Sequence, residues 1–134
     1  MAHWLIKSEP SAYSWDQMMA DKKADWTGVR NYQAANNMKA MQIGDICLFY
    51  HSNEGKEIVG QVEVVKTYHP DPTDEKGKFG MVTVGKPKPF KKTLTLAAIK
   101  EHATLQNMSF VKQSRLSVSP VTEKEYAQIC KLCN

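Results

Sequence analysis

The chain alternates short apolar runs with polar turns, and this pattern predicts a mixture of strands and helices. Runs rich in aromatic and β-branched residues predict strands at 3–8, 46–52, 58–69, 79–84, 93–96 and 110–118. Helical spacing and capping signals predict helices at 14–21, 31–41, 96–101 and 122–132. Strands outnumber helices, so the sequence predicts an α+β fold, a small and partly closed β-barrel with helices on its outside.

Local signals mark where several of these elements begin and end. Ser14 with Gln17, and Thr122 with Glu125, have the spacing of capping boxes. Gly44 is expected to end the second helix, and the polar segment 71–78 is predicted to be a loop.

The length of 134 residues is typical of one domain, which we place at 1–134. The longest purely apolar run, 46–50, is far shorter than the roughly 20 residues that cross a membrane. Charged residues occur already at Lys7 and Glu9, so the first residues lack the apolar region of a secretory signal. Three cysteines, an odd number, fit a reducing compartment. We therefore expect a cytoplasmic protein with no membrane partner.

The formal charge of +4 can be traced to one segment. Lys86, Lys88, Lys91 and Lys92 lie in the sequence KPKPFKK, and the remaining bases equal the 14 acidic residues in number. This balance argues against a chromatin-packing protein, whose bases spread over whole faces. The prolines confine the segment to a sheet edge or a loop, where its lysines would steer a polyanion toward the protein.

Arginine is rare in this lysine-rich chain, in which only Arg30 and Arg115 are arginines among 18 basic residues. The guanidinium group suits bidentate or stacked recognition better than an ammonium group does. Each arginine is therefore a candidate for specific binding, and a buried ion pair is an equally good explanation.

Three polar clusters are candidates for chemistry, and the first is Lys7-Ser8-Glu9-Pro10 at the end of the first strand. A lysine beside a serine and a glutamate can form a nucleophile and base, or can present donors and an acceptor to a heterocycle. A plain surface strand end, terminated by Pro10, is the simpler interpretation.

The second cluster, residues 26–33, has the composition of a base-binding pocket. Trp26 can stack on a nucleobase, and the Asn and Gln side chains can read its hydrogen-bonding edge. Gly28 allows a ligand to approach the backbone closely. The alternative is a core Trp and Tyr, with Asn31 capping the following helix.

The third cluster, Tyr50-His51-Ser52, is weak evidence for a hydrolase, because no acid follows at a suggestive spacing except Glu54 and Glu57. Cys130 and Cys133 have no second cysteine pair and end a helix instead of opening one, so we assign them neither zinc nor redox chemistry. No phosphate-binding glycine motif is present. The sequence indicates no metal and no cofactor.

Seven ordered blocks together resemble the EVE domain family over nearly the whole chain. They are KSEP (7–10), W-x-GVRNYQA-x-N (26–36), GD (44–45), FYHS (49–52), IVG (58–60), HPDPT (69–73) and RLSV-x-PV (115–121). The resemblance implies a PUA-like fold, a pseudobarrel of five or six strands with peripheral helices, similar in layout to the YTH domains.

The resemblance also implies a function: a non-enzymatic reader that holds a modified base of DNA or RNA. Trp26 would form the aromatic wall of its pocket, and the other implied residues surround it. They are Lys7, Ser8 and Glu9 at the pocket edge, Gly28, Val29, Asn31 and Tyr32 beside the tryptophan, His51 and Ser52 on the opposite strand end, and Arg30 and Arg115 as phosphate or pocket-edge donors.

One departure and one alternative accompany this expectation. The segment after HPDPT is shorter than the family pattern and offers Phe79 where a tryptophan is expected, which implies a more open pocket or a changed specificity. The alternative function comes from the related ASCH domains, which include amidohydrolases of acylated nucleosides. It would use Lys7, Ser8 and Glu9, and it requires a desolvated Lys7 with a depressed pKa.

Overall fold

The structure is a computed structural model that describes residues 1–134. It contains six strands and five helices. The strands are β1 (His3–Ser8), β2 (Lys23–Asp25), β3 (Ile46–His51), β4 (Glu57–Pro70), β5 (Gly80–Thr95) and β6 (Val118–Val121), and the helices are α1 (Trp15–Asp21), α2 (Tyr32–Ala40), α3 (Leu96–Glu101), α4 (Ser109–Lys112) and α5 (Glu123–Cys133).

All six strands join one mixed sheet in the order β2-β5-β4-β3-β1-β6. β1 runs parallel to β3, and every other pairing is antiparallel. The register of the long β4–β5 pair shifts at several points. Such irregularities bend strands and increase their twist, which is how a sheet of this size curls toward a barrel. The predicted α+β, PUA-like pseudobarrel is confirmed.

The sheet has a separate hydrophobic core on each face. Trp4 and Ile6 of β1 pack on one face with Trp15, Trp26 and Phe49, and we call this the tryptophan face. Leu5, between them in sequence, packs on the opposite face, which we call the Phe110 face; its core also contains Leu48, Tyr50, Ile58 and Phe110. Successive side chains of a strand point to opposite faces, so position within β1 decides which core a residue adjoins.

Helix starts follow the capping signals in the sequence. Ser14 and Asn31 accept hydrogen bonds from the backbone of Gln17 and Ala34, and Thr122 forms the complete predicted capping box with Glu125. The predicted box at Ser14 is half-formed: Ser14 accepts the Gln17 N–H, while the Gln17 side-chain amide donates to Asp21. An N-cap of this kind typically stabilises a helix by about 1 kcal/mol.

The predicted strand at 110–118 is wrong. Residues Ser109–Lys112 form α4, which buries Phe110, and β6 begins only at Val118. The apolar pair Phe110-Val111 has no alternation after it, so the following polar residues 112–115 leave the chain free to turn.

The predicted strands at 79–84 and 93–96 are parts of one continuous strand, β5, and β2 was not predicted at all. β2 pairs with residues 83–85 of β5. Beyond Gly85 this side of β5 has no strand partner, so KPKPFKK is an edge strand, one of the two settings that its prolines predicted.

Candidate ligand-binding site

A cavity of about 410 Å³ opens at the carboxyl end of β1, on the tryptophan face. We call it the tryptophan pocket. Three segments line it: Lys7, Ser8 and Glu9 at the end of β1, Ala12 and Tyr13 before α1, and residues 24–27 of β2 and the turn that follows it. β2 therefore brings Trp26 to the end of β1, although its sequence KAD carries no strand signal.

Trp26 belongs both to this pocket and to the hydrophobic core. Its backbone N–H donates to the Val82 carbonyl at 2.9 Å, which extends the β2–β5 pairing by one residue. Its ring packs edge-on against Tyr13 and Phe49, with centroids 6.2 and 5.7 Å away. Only 8% of the residue is exposed. The pocket thus presents a strip of the indole, and the rest of the ring supports the core.

Carboxylates dominate the charge around the tryptophan pocket. Glu9 and Asp25 line it and are exposed, and Asp25 accepts a hydrogen bond from the Thr83 hydroxyl at 2.7 Å. The Tyr13 hydroxyl donates to Asp21 at 2.9 Å. Burial and this carboxylate raise the pKa of Tyr13 to about 12, so the phenol stays protonated at neutral pH. The pocket offers hydrogen-bond acceptors to a ligand that carries donors.

Ser8 and Lys7 point in different directions. The Ser8 hydroxyl lies on the tryptophan face and donates to the Tyr13 carbonyl at 2.5 Å. The Lys7 ammonium lies on the Phe110 face, where it donates to the Ser114 carbonyl at 2.8 Å. It is 5.6 Å from the centre of the Phe110 ring and 6.0 Å from that of Tyr50. Partial burial lowers the pKa of Lys7.

Lys7 also lines a second cavity, of about 250 Å³, which we call the lysine cavity. Its polar lining comes from the end of β1, the strand end that carries Ser52, the adjoining turn, α3 and the segment after α4: Lys7, Ser52, Asn53, Lys56, Lys100 and Ser114. Phe110 of α4 closes the apolar side. The resemblance places Ser52 on the strand end opposite Ser8 and Glu9 in the pocket of Trp26, whereas the structure places it in the lysine cavity.

His51 has a structural partner at the start of α1. Its Nε2 accepts a hydrogen bond from the Trp15 backbone N–H at 3.0 Å. Burial lowers the pKa of His51, although Glu57 and Asp16 oppose this shift. The imidazole is therefore neutral at neutral pH, as an acceptor nitrogen must be. His51 is not among the residues that line the tryptophan pocket.

Asp71, which was not predicted as a site residue, anchors the loop that follows Trp26. Its side chain is fully buried and accepts hydrogen bonds from Gly28 N–H (2.9 Å), Arg30 (3.2 Å), and both the N–H and hydroxyl of Thr73 (2.8 and 2.6 Å). Burial by itself would raise the pKa of Asp71, but these hydrogen bonds outweigh it and hold the pKa at about 2. Its only sequence signal is its place in the HPDPT block.

Arg30 forms an ion pair with the buried Asp71, although 39% of its own side chain is exposed, and its guanidinium also donates to Thr73 at 3.0 Å. It lies 5.8 Å from the Phe79 ring, against which Tyr32 packs at 4.9 Å. Tyr32 is 66% exposed. Arg30, Tyr32 and Phe79 line a shallow cavity of their own, together with Lys76 and Lys78.

The remaining predicted residues are distributed elsewhere. Val29 is buried in the core, and Asn31 caps α2 through its side chain. Arg115 is exposed and lines a shallow cavity with Asn31. Of the predicted ligand-binding set, only Lys7, Ser8, Glu9 and Trp26 line the tryptophan pocket.

The lysines of KPKPFKK all lie on the free edge of β5, and none of them is buried. Lys86 follows directly after Gly85, which pairs with Lys23 of β2, so this edge starts beside the strand that positions Trp26. Lys86 lies 4.0 Å from Glu63, at the limit of an ion pair.

No three His, Cys, Asp or Glu side chains converge in a way that could hold a metal ion. The three cysteines are free thiols. No helix combines the length and the apolar composition needed to cross a bilayer.

A mixed six-stranded sheet with a pocket at the end of its parallel strand pair defines a PUA-like α+β protein. The chain belongs to the EVE domain family, whose pattern matches residues 2–132.

Similar proteins come from bacteria and from vertebrates. Rpa0253 from Rhodopseudomonas palustris is 50% identical, with a TM-score of 0.93 over 99% of this chain and 93% of that one. Thymocyte nuclear protein 1 from Gallus gallus is 34% identical over 97% of this chain and 68% of the relative. Human THYN1, solved in complex with 5-methylcytosine-containing DNA, is 31% identical, with a TM-score of 0.93 over 98% of this chain and 97% of that one.

Proposed function

We propose that this protein is a non-enzymatic binding module that holds a modified cytosine of DNA in the tryptophan pocket. The proposal depends on one observation: the same pocket is lined by the exposed strip of the Trp26 indole and by two carboxylates, those of Glu9 and Asp25. Human THYN1, which shares the fold, is described in complex with DNA containing 5-methylcytosine. A modified base in RNA is the alternative ligand of the same pocket.

The chemistry of the pocket fits a cytosine better than it fits a phosphate. Cytosine carries an exocyclic amino group that donates to carboxylates, and Glu9 and Asp25 are available as acceptors. A methyl group on the ring would find apolar contacts with Ala12, Ala24 and the exposed strip of Trp26. A phosphate would meet two negative charges. The pocket is thus expected to receive an extruded base while the backbone stays outside it.

Extruding a base costs a few kcal/mol, least where the base is unpaired or damaged. The lysines at 86–92 supply attraction that is independent of sequence, and they lie on the edge that begins beside β2. We therefore assign affinity for nucleic acid in general to this edge, and selectivity for the modified base to the pocket.

The amidohydrolase alternative lacks its nucleophile geometry. Ser8 donates its hydroxyl hydrogen to the Tyr13 carbonyl, and the Lys7 ammonium lies on the other face of the sheet. The lowered pKa of Lys7 meets one requirement of that alternative, but the ammonium donates to the Ser114 carbonyl and makes no hydrogen bond to Ser8 or Glu9. Incubation with acylated cytidines is expected to release no product, and measurable turnover would restore the enzymatic alternative.

Two variants test the pocket without dismantling the core. Trp26→Ala would remove a buried aromatic ring at a cost of about 3–5 kcal/mol in stability, so its effect on binding would be ambiguous. Trp26→Phe keeps the core filled and shortens the indole strip. Glu9→Ala removes an exposed acceptor, and Glu101→Ala on α3 is its matched control.

In titrations of oligonucleotides that differ by one modified cytosine, we expect Trp26→Phe to lose most of the preference for the modified base, because it shortens the apolar strip that the methyl group contacts. Glu9→Ala should weaken binding of a cytosine with or without the modification, because both carry the amino group, whereas Glu101→Ala should behave as wild type. Full preference in Trp26→Phe together with unchanged affinity in Glu9→Ala, with folding verified by thermal unfolding, would place the base elsewhere.

The cytoplasmic location of this protein stays a prediction. The word 'nuclear' in the name of thymocyte nuclear protein 1 does not test it.

A further inference from the structure

The lysine cavity combines three ammonium groups with no acidic residue. Lys7, Lys56 and Lys100 line it, and its remaining polar lining is uncharged, including the Ser52 hydroxyl and the Asn53 amide. None of the three lysines has a carboxylate within 4.0 Å. A chain with nearly as many acids as bases ordinarily disperses its lysines among carboxylates, and here three converge without one.

One backbone hydrogen bond joins the two segments that carry Lys56 and Lys100. The Lys56 carbonyl accepts the Leu96 N–H at 2.8 Å, which ties the turn before β4 to the start of α3. This contact brings Lys56, on the turn, and Lys100, on the helix, to the same opening. Both side chains are exposed at the rim, so they can reorient toward a ligand.

Lys7 is the inner member of the set. Its ammonium uses one hydrogen for the Ser114 carbonyl and lies over the rings of Phe110 and Tyr50. An ammonium has three donors, so two remain for a ligand. The ring faces attract the ammonium, but its partial burial still removes hydration, and the cavity lining supplies no opposite charge in exchange. A small anion would supply that charge.

We propose that the lysine cavity is a binding site for a phosphate group. Its volume of about 250 Å³ and its three converging ammonium groups suit a compact anion with several acceptor oxygens. It complements the tryptophan pocket, where Glu9 and Asp25 disfavour a phosphate. Lys7 lines both cavities, so the two lie on either side of the same strand end.

The phosphate has two possible sources, the backbone of a bound nucleic acid strand and a free nucleotide. The first source rests on the proposed function, because a strand whose base enters the tryptophan pocket would pass this neighbouring cavity. The site itself does not rest on it, since inorganic phosphate alone is a sufficient probe.

Inorganic phosphate is titrated into isotope-labelled protein with chloride as the only other anion, and backbone amide shifts are followed by NMR. We expect saturable shifts centred on Lys7, Ser52, Asn53 and Lys100, with little change at Trp26. The double variant Lys56→Gln/Lys100→Gln should weaken phosphate binding by about tenfold or more, because it removes charge-assisted hydrogen bonds. The matched control Lys66→Gln/Lys124→Gln removes the same charge from exposed lysines outside the cavity and should leave the titration unchanged.

A second arm measures oligonucleotide binding by the same variants. If the phosphate comes from a strand, the cavity variant weakens binding to modified and unmodified oligonucleotides by the same factor and leaves their ratio intact. If oligonucleotide binding is unchanged while phosphate binding disappears, the site stands and serves a free nucleotide. No saturable shift at the cavity amides, or equal shifts in the cavity variant, would overturn the site, whatever the outcome for the tryptophan pocket.

Discussion

At the scale of single residues, several side chains in the family motifs stabilise the fold. Asn31 caps α2, Arg30 pairs with Asp71, and His51 accepts the first N–H of α1. A polar side chain that already makes hydrogen bonds within the protein can bind a ligand only through a further donor or acceptor that faces a cavity. Glu9 meets that condition in the tryptophan pocket.

The lowered pKa of His51 predicts how the stability of the protein changes with pH. Its pKa in the folded protein lies below 6.5, chiefly because of burial, so the unfolded chain binds a proton more readily. The stability that His51 contributes is therefore complete above about pH 6.5 and decreases as the pH falls through and below that value. The His3 pKa is lowered as well and adds to the same trend.

Thermal or denaturant unfolding of wild type and His51→Gln between about pH 7 and 5 measures this contribution. Glutamine keeps an acceptor for the Trp15 N–H but does not titrate. We expect stability to fall less steeply with decreasing pH in the variant. Parallel curves for the two proteins would show that His51 is not a source of the pH dependence.

At the scale of elements, the sequence predicts those whose signals are local. Capping residues Ser14, Asn31 and Thr122 mark three helices, and apolar runs mark β1, β3 and β4. β2 escapes prediction because its three residues become a strand only by pairing with β5. That pairing places Trp26 beside the end of β1, so the geometry of the pocket depends on a contact between segments distant in sequence.

The sequence predicts four residues of the tryptophan pocket, Lys7, Ser8, Glu9 and Trp26, but not Asp25, and it does not predict that Lys7 and Ser52 line a second cavity. Strand alternation supplies the missing signal: Lys7 and Ser8 are adjacent in β1 and must point to opposite faces. Lys7 shares a face with Tyr50, its partner in the β1–β3 register, whereas Ser8 shares the tryptophan face with His51.

The lysines on the free edge of β5 lead to a prediction about how binding depends on salt. Replacing Lys86, Lys88, Lys91 and Lys92 with glutamine should weaken binding to every oligonucleotide equally and flatten the salt dependence of the affinity. The slope of log affinity against log salt should become shallower by about 0.7–0.9 for every phosphate that the variant no longer neutralises. Affinity measured across a series of salt concentrations provides the slope, and an unchanged slope would remove this edge from the interface.

At the scale of the whole molecule, charge is partitioned among surfaces. Carboxylates line the tryptophan pocket, lysines without carboxylates line the neighbouring cavity, and further lysines follow the free edge of β5. The net charge of +4 does not by itself reveal this arrangement. The separation of charged surfaces suits a ligand that has an uncharged base and a charged backbone.

The most direct test of the central claim uses the wild-type protein and two oligonucleotides that differ only by one 5-methylcytosine. Fluorescence anisotropy gives both affinities at a low and a high salt concentration. We predict tighter binding of the modified oligonucleotide at both concentrations, with both affinities falling as salt rises and their ratio nearly constant. Equal affinities for the two oligonucleotides at both salt concentrations would contradict the assignment of the tryptophan pocket to a modified cytosine.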